Sequence, residues 1–220
     1  MIPFIVPFAL YLLGTQLLSY FPDQYPLLYP VCVVLVGAAT LFLLRGKDIV
    51  KIHGNIASGV IVGVVGVVAW ILICRLDLEQ LIFDLLPDFL QPEQRPSFNP
   101  FQSINSTVGQ WGFIAMRMTG LAVLVPLVEE IFWRGFLLRW VISPDWQDQE
   151  IGVFTFKSFA WITVLFALAH PEWIAAAVYC ILLNLLLYWR RDLWNCIVAH
   201  ATSNALLGVY VLYTKTWELW

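Results

Sequence analysis

Apolar residues run in blocks along this chain, and polar positions are confined to short breaks between them. The blocks fall near residues 3–21, 27–44, 56–74, 112–140, 154–170, 172–189 and 193–213. Each is close to the ~20 residues a helix needs to cross a bilayer core about 30 Å thick. The pattern predicts an all-α protein, a polytopic transmembrane helical bundle of about seven spans, within a range of about six to eight. The one long polar connection, residues 75–111, carries Pro87, Pro92, Pro96 and Pro100. Its first part, LDLEQLIFDLLPDFL, sets apolar residues against acids at helical spacing, which predicts an amphipathic helix on the membrane surface.

Composition agrees with a membrane protein. The chain is 60% hydrophobic and 12% charged, with a mean hydropathy of +0.79, whereas soluble domains are about a quarter charged. A net charge of −3 and no clustered Lys/Arg argue against nucleic-acid binding. Cys32, Cys74, Cys180 and Cys196 lie scattered in apolar segments without metal-ligand spacing and read as small buried hydrophobes. The N-terminus has neither a positive n-region nor a small-residue cleavage site, so the first block is expected to remain as an anchor. Gly59 and Gly63, four apart, predict a close helix–helix approach. With the N-terminus in the cytoplasm, most of the 12 Lys and Arg fall on the inner side, while Arg75, Arg95, Arg117 and Lys215 stay on or toward the other.

An ionisable side chain at membrane depth is costly and is a functional candidate by default. Glu129 and Glu130 with Arg134, His170, and His200 with Asn204 meet that description. Glu130 and Arg134 are four apart, acid before base, so they can pair along one helix stripe. Glu129 is turned about 100° from Glu130 and is the carboxylate left to act. Phe166 precedes His170 by one turn, and Pro171 ends that helix. His200 and Asn204 share a face that could present two hydrogen-bonding groups to one oxygen. Counted from Arg139, Lys157 and Arg191, the residues Glu129, His170 and His200 lie roughly 15, 20 and 14 Å into the membrane, at a common depth. His53, in a basic loop, is expected to be solvated, and Gln16 and Asn184 to be interhelical hydrogen-bond partners.

These residues, in this order, resemble the CPBP family of intramembrane glutamic proteases, also known as the CAAX protease and bacteriocin-processing or Abi family. Its pattern is EExxxR, FxxxH and HxxxN on successive membrane helices. Here it reads Glu129-Glu130 to Arg134, Phe166 to His170, and His200 to Asn204. The resemblance covers residues 105–213 and divides the chain into N-terminal spans with the polar connection, 1–104, and a catalytic membrane core, 105–220. Within that family the chain also resembles a prokaryotic CAAX prenyl protease-related subgroup.

The resemblance implies an intramembrane endopeptidase that cuts near the C-terminus of a membrane-associated peptide or protein, with a prenylated chain among the candidate substrates. Glu129 would activate water and His170 help hold it. His200 and Asn204 would stabilise the oxyanion, with Glu130, Arg134 and Phe166 in support. It implies no cofactor and no metal, partners limited to the substrate and the bilayer, and a prokaryotic cytoplasmic membrane with the site reached from the cytoplasmic side. Two other readings stay open. In one, zinc is held by Glu129, His170 and His200; in the other, a membrane binding or immunity protein uses the same pocket without cutting.

Overall fold

The computed structural model describes residues 1–83 and 97–219, with the backbone alone at 81–83. Every described element is a helix or turn. In chain order they are α1 (Ile2–Leu18), α2 (Tyr25–Leu44), α3 (Ala57–Arg75), α4 (Leu78–Phe83), α5 (Pro100–Ser103), α6 (Thr107–Thr119), α7 (Val125–Phe132), α8 (Leu138–Ile142), α9 (Phe156–Leu168), α10 (Trp173–Arg190) and α11 (Leu193–Thr214). Helices α6, α7 and α8 form one unbroken path of 36 residues, interrupted by π turns at Gly120–Leu124 and Trp133–Leu137. The expected surface helix is described only as far as α4; its remainder lies outside the described residues.

Among the described residues, five stretches are long and apolar enough to cross a membrane: Pro22–Leu44, Ala57–Arg75, Thr107–Ile142, Trp173–Arg190 and Leu193–Thr214. The other two expected spans are the shorter helices Ile2–Leu18 and Phe156–Leu168. Helix α9, with 13 residues, is about 20 Å long, a third less than the hydrocarbon core. The surface suits lipid: Leu35, Phe42, Val65 and Leu168 are exposed, while Glu130, Arg134, Asn184 and Ser203 are buried.

Polar caps start the helices where the chain leaves the apolar blocks. Ser106 caps α6 through Gly109 N–H, Thr155 caps α9 through Ser158 N–H, and Asp192 caps α11 through the N–H groups of Trp194 and Asn195. Asn195 then ties α11 to the start of α3, its Oδ1 accepting from Gly59 N–H and Ser58 Oγ at 2.9 Å each. Further along α3, a Cβ on Gly63 would strike the Ala199 carbonyl, and one on Gly66 the Tyr179 ring. The close approach expected at Gly59 and Gly63 is therefore made, against α11, and Gly66 extends it to α10.

Two sequence readings need correction. His53 is not simply solvated; its Nε2 lies 2.9 Å from Asp192 Oδ2, and its carbonyl accepts from Trp194 Nε1 at 3.0 Å. Gln16 is exposed and contacts Ser19 at the end of its own helix rather than a neighbouring helix. Among the cysteines, all free, Cys180 and Cys196 are buried but Cys32 and Cys74 only half-buried.

The two ends of the bundle differ. One gathers the loops at 45–56, 143–155 and 191–192, held by the His53–Asp192 pair and an Arg191–Glu150 contact of 3.8 Å. It carries Arg45, Lys47, Lys51, Lys157, Arg190 and Arg191. The other gathers the turns after α1, α3, α9 and α11, joined by Glu79 Oε1 accepting from Ile174 N–H at 3.0 Å and by an edge contact of Tyr25 on Phe98.

Candidate active site

Helix α7 puts its two carboxylates into opposite surroundings. Glu130 is fully buried; its Oε1 accepts from Arg134 Nη1 at 3.2 Å and from His200 Nδ1 at 2.8 Å. Arg134, also fully buried, donates from Nε to Asn184 Oδ1 at 3.2 Å and from Nη2 to Cys180 Sγ at 3.1 Å, with its guanidinium 4.8 Å from the Phe166 ring centroid. The expected i,i+4 pair is thus one part of a polar knot joining α7, α9, α10 and α11. Cys180, taken from sequence as a mere apolar filler, is an acceptor in it. Asn184 makes the interhelical bond expected of it.

Glu129 is 6% exposed, and neither of its oxygens has a hydrogen-bond partner among the described residues; Oε2 is fully buried. It faces a cavity of about 510 Å³, together with His170, His200 and Asn204. His170 donates from Nδ1 to the Phe166 carbonyl at 2.7 Å, and its ring stacks on Phe166 with centroids 4.5 Å apart. That bond puts the proton on Nδ1 and leaves Nε2 a lone-pair acceptor in the neutral ring. In His200, Nδ1 points to Glu130 and Nε2 has no hydrogen-bond partner among the described residues. Donation from Nε2 to an oxyanion then requires both ring nitrogens to carry protons, with Glu130 as counter-charge.

Asn204 has a structural task that its spacing does not reveal. In the π turn, Val125 N–H bonds the Gly120 carbonyl, five residues back. The next donor in that pattern would be residue 126, but Pro126 has no N–H, so the Leu121 carbonyl has no helical partner. Asn204 Nδ2 fills the vacancy at 2.9 Å, which leaves its second N–H and its Oδ1 for the cavity.

The same π turn determines what shares the cavity. In an uninterrupted helix, Glu129 would point about 120° away from Arg117, twelve residues earlier, at 100° per residue. A π turn takes up one extra residue, so Glu129 follows as if eleven steps on, about 20° from Arg117. Arg117, placed by the sequence reading on or toward the outer side, is in fact 6% exposed and lines the cavity with Tyr11, Tyr25 and Tyr29. Trp70, His170 and Tyr179 line it as well. Tyr179 bonds Ser203 Oγ, which donates to the His200 carbonyl at 2.9 Å. An arginine and several tyrosines inside apolar blocks are the signal that could have marked this part of the cavity.

Rim residues Ser19, Pro22, Ser97 and Pro171 place the cavity mouth at the end of the bundle opposite the basic loops. Residues on both sides of the expected boundary at 104 line the cavity. Among the described residues, no three His, Cys, Asp or Glu side chains stand close enough together to hold a metal ion.

Buried ionisable groups around a cavity inside a helical membrane protein are the arrangement expected of a functional site rather than of packing alone. The family model for type II CAAX prenyl endopeptidases, Rce1-like, matches residues 111–206, a stretch that includes all three motifs. Over these residues the chain is similar to the Rce1-like CAAX proteases. No curated protein and no solved structure matches the chain.

Proposed function

We propose that the protein is an intramembrane endopeptidase that hydrolyses a peptide bond near the C-terminus of a membrane-associated substrate, using water activated by Glu129. One observation carries this reading: Glu129 is a buried carboxylate without a hydrogen-bond partner among the described residues, in a cavity that reaches solvent, while its neighbour Glu130 is bound to Arg134 and His200.

Water held between Glu129 and His170 Nε2 attacks the scissile carbonyl carbon, and Glu129 takes its proton. The oxygen of the tetrahedral intermediate becomes an anion, stabilised by doubly protonated His200 and the remaining Asn204 N–H. Glu129 then passes the proton to the departing amine, the C–N bond breaks, and an acid and an amine are left. Preorganised donors at the oxyanion and a positioned base are the two largest contributions available to such a site. The family description supports a prenylated chain as the substrate class.

Orientation is part of the reading. With the basic loops in the cytoplasm, the mouth faces the other side, not the cytoplasmic side as the sequence reading had it. Ser97→Cys at the mouth should then be labelled by a membrane-impermeant thiol reagent on intact cells, and Lys51→Cys should not; the reverse pattern returns the mouth to the cytoplasm.

The principal experiment is cleavage of a peptide panel, with and without a prenyl group, by the purified protein in detergent. Wild type should cut at least one member near its C-terminus, and Glu129→Gln should cut none while melting at the wild-type temperature. Cutting abolished by a chelator would move the reading to a metal-dependent protease. Substrate binding without any Glu129-dependent cutting would make this a binding protein.

A further inference from the structure

Arg117 takes no part in the hydrolysis just described, yet it lies buried against the same cavity. Its guanidinium sits over the Tyr29 ring, 4.7 Å from the centroid, and its Nε is buried without an acceptor. The Tyr29 hydroxyl, beside the same cavity and next to the guanidinium, is a second buried group, and its O–H has no acceptor among the described residues. Among the described residues, no carboxylate forms an ion pair with Arg117. A ring face attracts a cation but is no acceptor for an in-plane N–H, and a buried charge without a counter-charge is costly. Two unfilled donors beside an unneutralised guanidinium are complementary to a small anion. A carboxylate is the anionic group of a peptide, and its planar shape matches the arginine fork.

We propose that Arg117, with the Tyr29 hydroxyl, holds the C-terminal carboxylate of the substrate, so that the bond cut is chosen by its distance from the end of the chain. The proposal rests on the hydrolytic reading above and deepens it. Arg117 and Glu129 lie on one side of their helix, about 17 Å apart along the axis for the eleven steps that remain once the π turn has taken up its extra residue. Both side chains lean toward the N-terminal end of the helix, so the spacing of their charged groups follows that of the backbone. What remains between the two groups accommodates an extended segment of a few residues at about 3.3 Å each. An internal stretch of a protein has no carboxylate to place there.

The test uses the full chain in detergent and an S-farnesylated hexapeptide of the CAAX type in three forms: the free acid, the C-terminal amide, and an amide whose last residue is aspartate. Binding is read first, on the Glu129→Gln protein, which holds peptide uncut. The free acid should bind about 10- to 100-fold more tightly than the amide, the effect of a charge-assisted pair. Adding Arg117→Gln should bring acid and amide to one affinity, and Arg117→Lys should keep part of the difference. Tyr29→Phe, which removes only the hydroxyl, should narrow the ratio several-fold even if Arg117→Gln fails to fold.

Equal binding of acid and amide, no binding of the acid, or a difference that survives Arg117→Gln overturns the proposal. So does preference for the aspartyl amide, which would make the recognised carboxylate a side chain's. Cleavage keeps this failure distinct from that of the hydrolytic reading. With Glu129 intact, Arg117→Gln should lower kcat/KM on the acid by the same factor and leave the amide's unchanged. If cutting persists in Glu129→Gln while the acid–amide difference follows Arg117, the hydrolytic assignment falls and the carboxylate site stands.

Discussion

The two sides of α7 treat the same chemical group in opposite ways. On the packed side, Glu130 shares one oxygen between Arg134 and His200, and the knot continues into Asn184, Cys180 and the Phe166 ring. On the cavity side, Glu129 and Arg117 are buried ionisable groups without a counter-charge in contact among the described residues. The difference teaches that burial alone does not mark a reactive group. A buried carboxylate paired with a cation builds structure, even though Glu130 Oε2 has no hydrogen-bond partner among the described residues, and a buried carboxylate left unpaired beside a cavity is free for something that arrives later.

The sharpest way to break this contrast is on the packed side. Arg134→Met strands Glu130 and should cost about 3–5 kcal/mol, the range for a buried pair that loses one partner. Thermal unfolding in detergent checks it, and Glu130→Gln added to Arg134→Met should recover much of the loss. A single variant as stable as wild type would mean the pair is not structural.

On the cavity side, Glu129→Gln should leave stability unchanged or slightly raised while cleavage falls by about 10²–10⁴-fold, the usual contribution of a positioned base. If stability falls as it does for Arg134→Met, the two sides are not different in kind.

Asn204 lies between the two cases and can be dissected. Asn204→Ala should cost about 1–3 kcal/mol by orphaning the Leu121 carbonyl. Pro126→Ala restores an N–H near that carbonyl, so Asn204→Ala should cost less stability in the Pro126→Ala background. An activity loss unchanged between backgrounds assigns Asn204 to the oxyanion as well; a loss that shrinks with the stability cost leaves it a clasp.

The smallest effect belongs to the basic end. Burial raises the Asp192 carboxyl, but the donors Asn195, Trp194 N–H and His53 outweigh it and hold it below the ordinary carboxylate value. A lowered folded-state pKa contributes stability above the unfolded value of about 4 and loses it as pH falls through the folded value. Asp192 is partly open to water, which discounts the effect. Asp192→Asn should therefore lower the melting temperature slightly at pH 7, and the gap to wild type should close below about pH 4. A gap that widens on acidification would show the wrong sign.

Local pattern made much of this legible. The apolar blocks locate all seven apolar helices, five of them of spanning length. Spacing alone anticipates the Glu130–Arg134 pair, the stack of Phe166 on His170 and the glycine contacts of α3, because each depends on neighbours along one helix or on a missing Cβ. The bond from His200 to Glu130 joins residues seventy positions apart, and no single-helix periodicity contains it. The register of Arg117 relative to Glu129 was hidden for a different reason. A helical wheel assumes an unbroken 3.6-residue repeat, and the π turn before Pro126 shifts everything downstream by one residue. Arg117 was accordingly counted as a charge for orientation and not as part of the cavity.

The open mouth of the cavity also bears on the supply of the second reactant. Hydrolysis consumes one water per bond, and hydrocarbon holds almost none. Rim residues Ser19, Ser97 and Pro171 are exposed, so replenishment comes by diffusion from the aqueous phase at its full activity, not by partition through lipid. Turnover should therefore be indifferent to how dry the surrounding bilayer is. Lowering water activity with an excluded osmolyte should slow turnover, and swapping short-chain for long-chain lipids at constant fluidity should not.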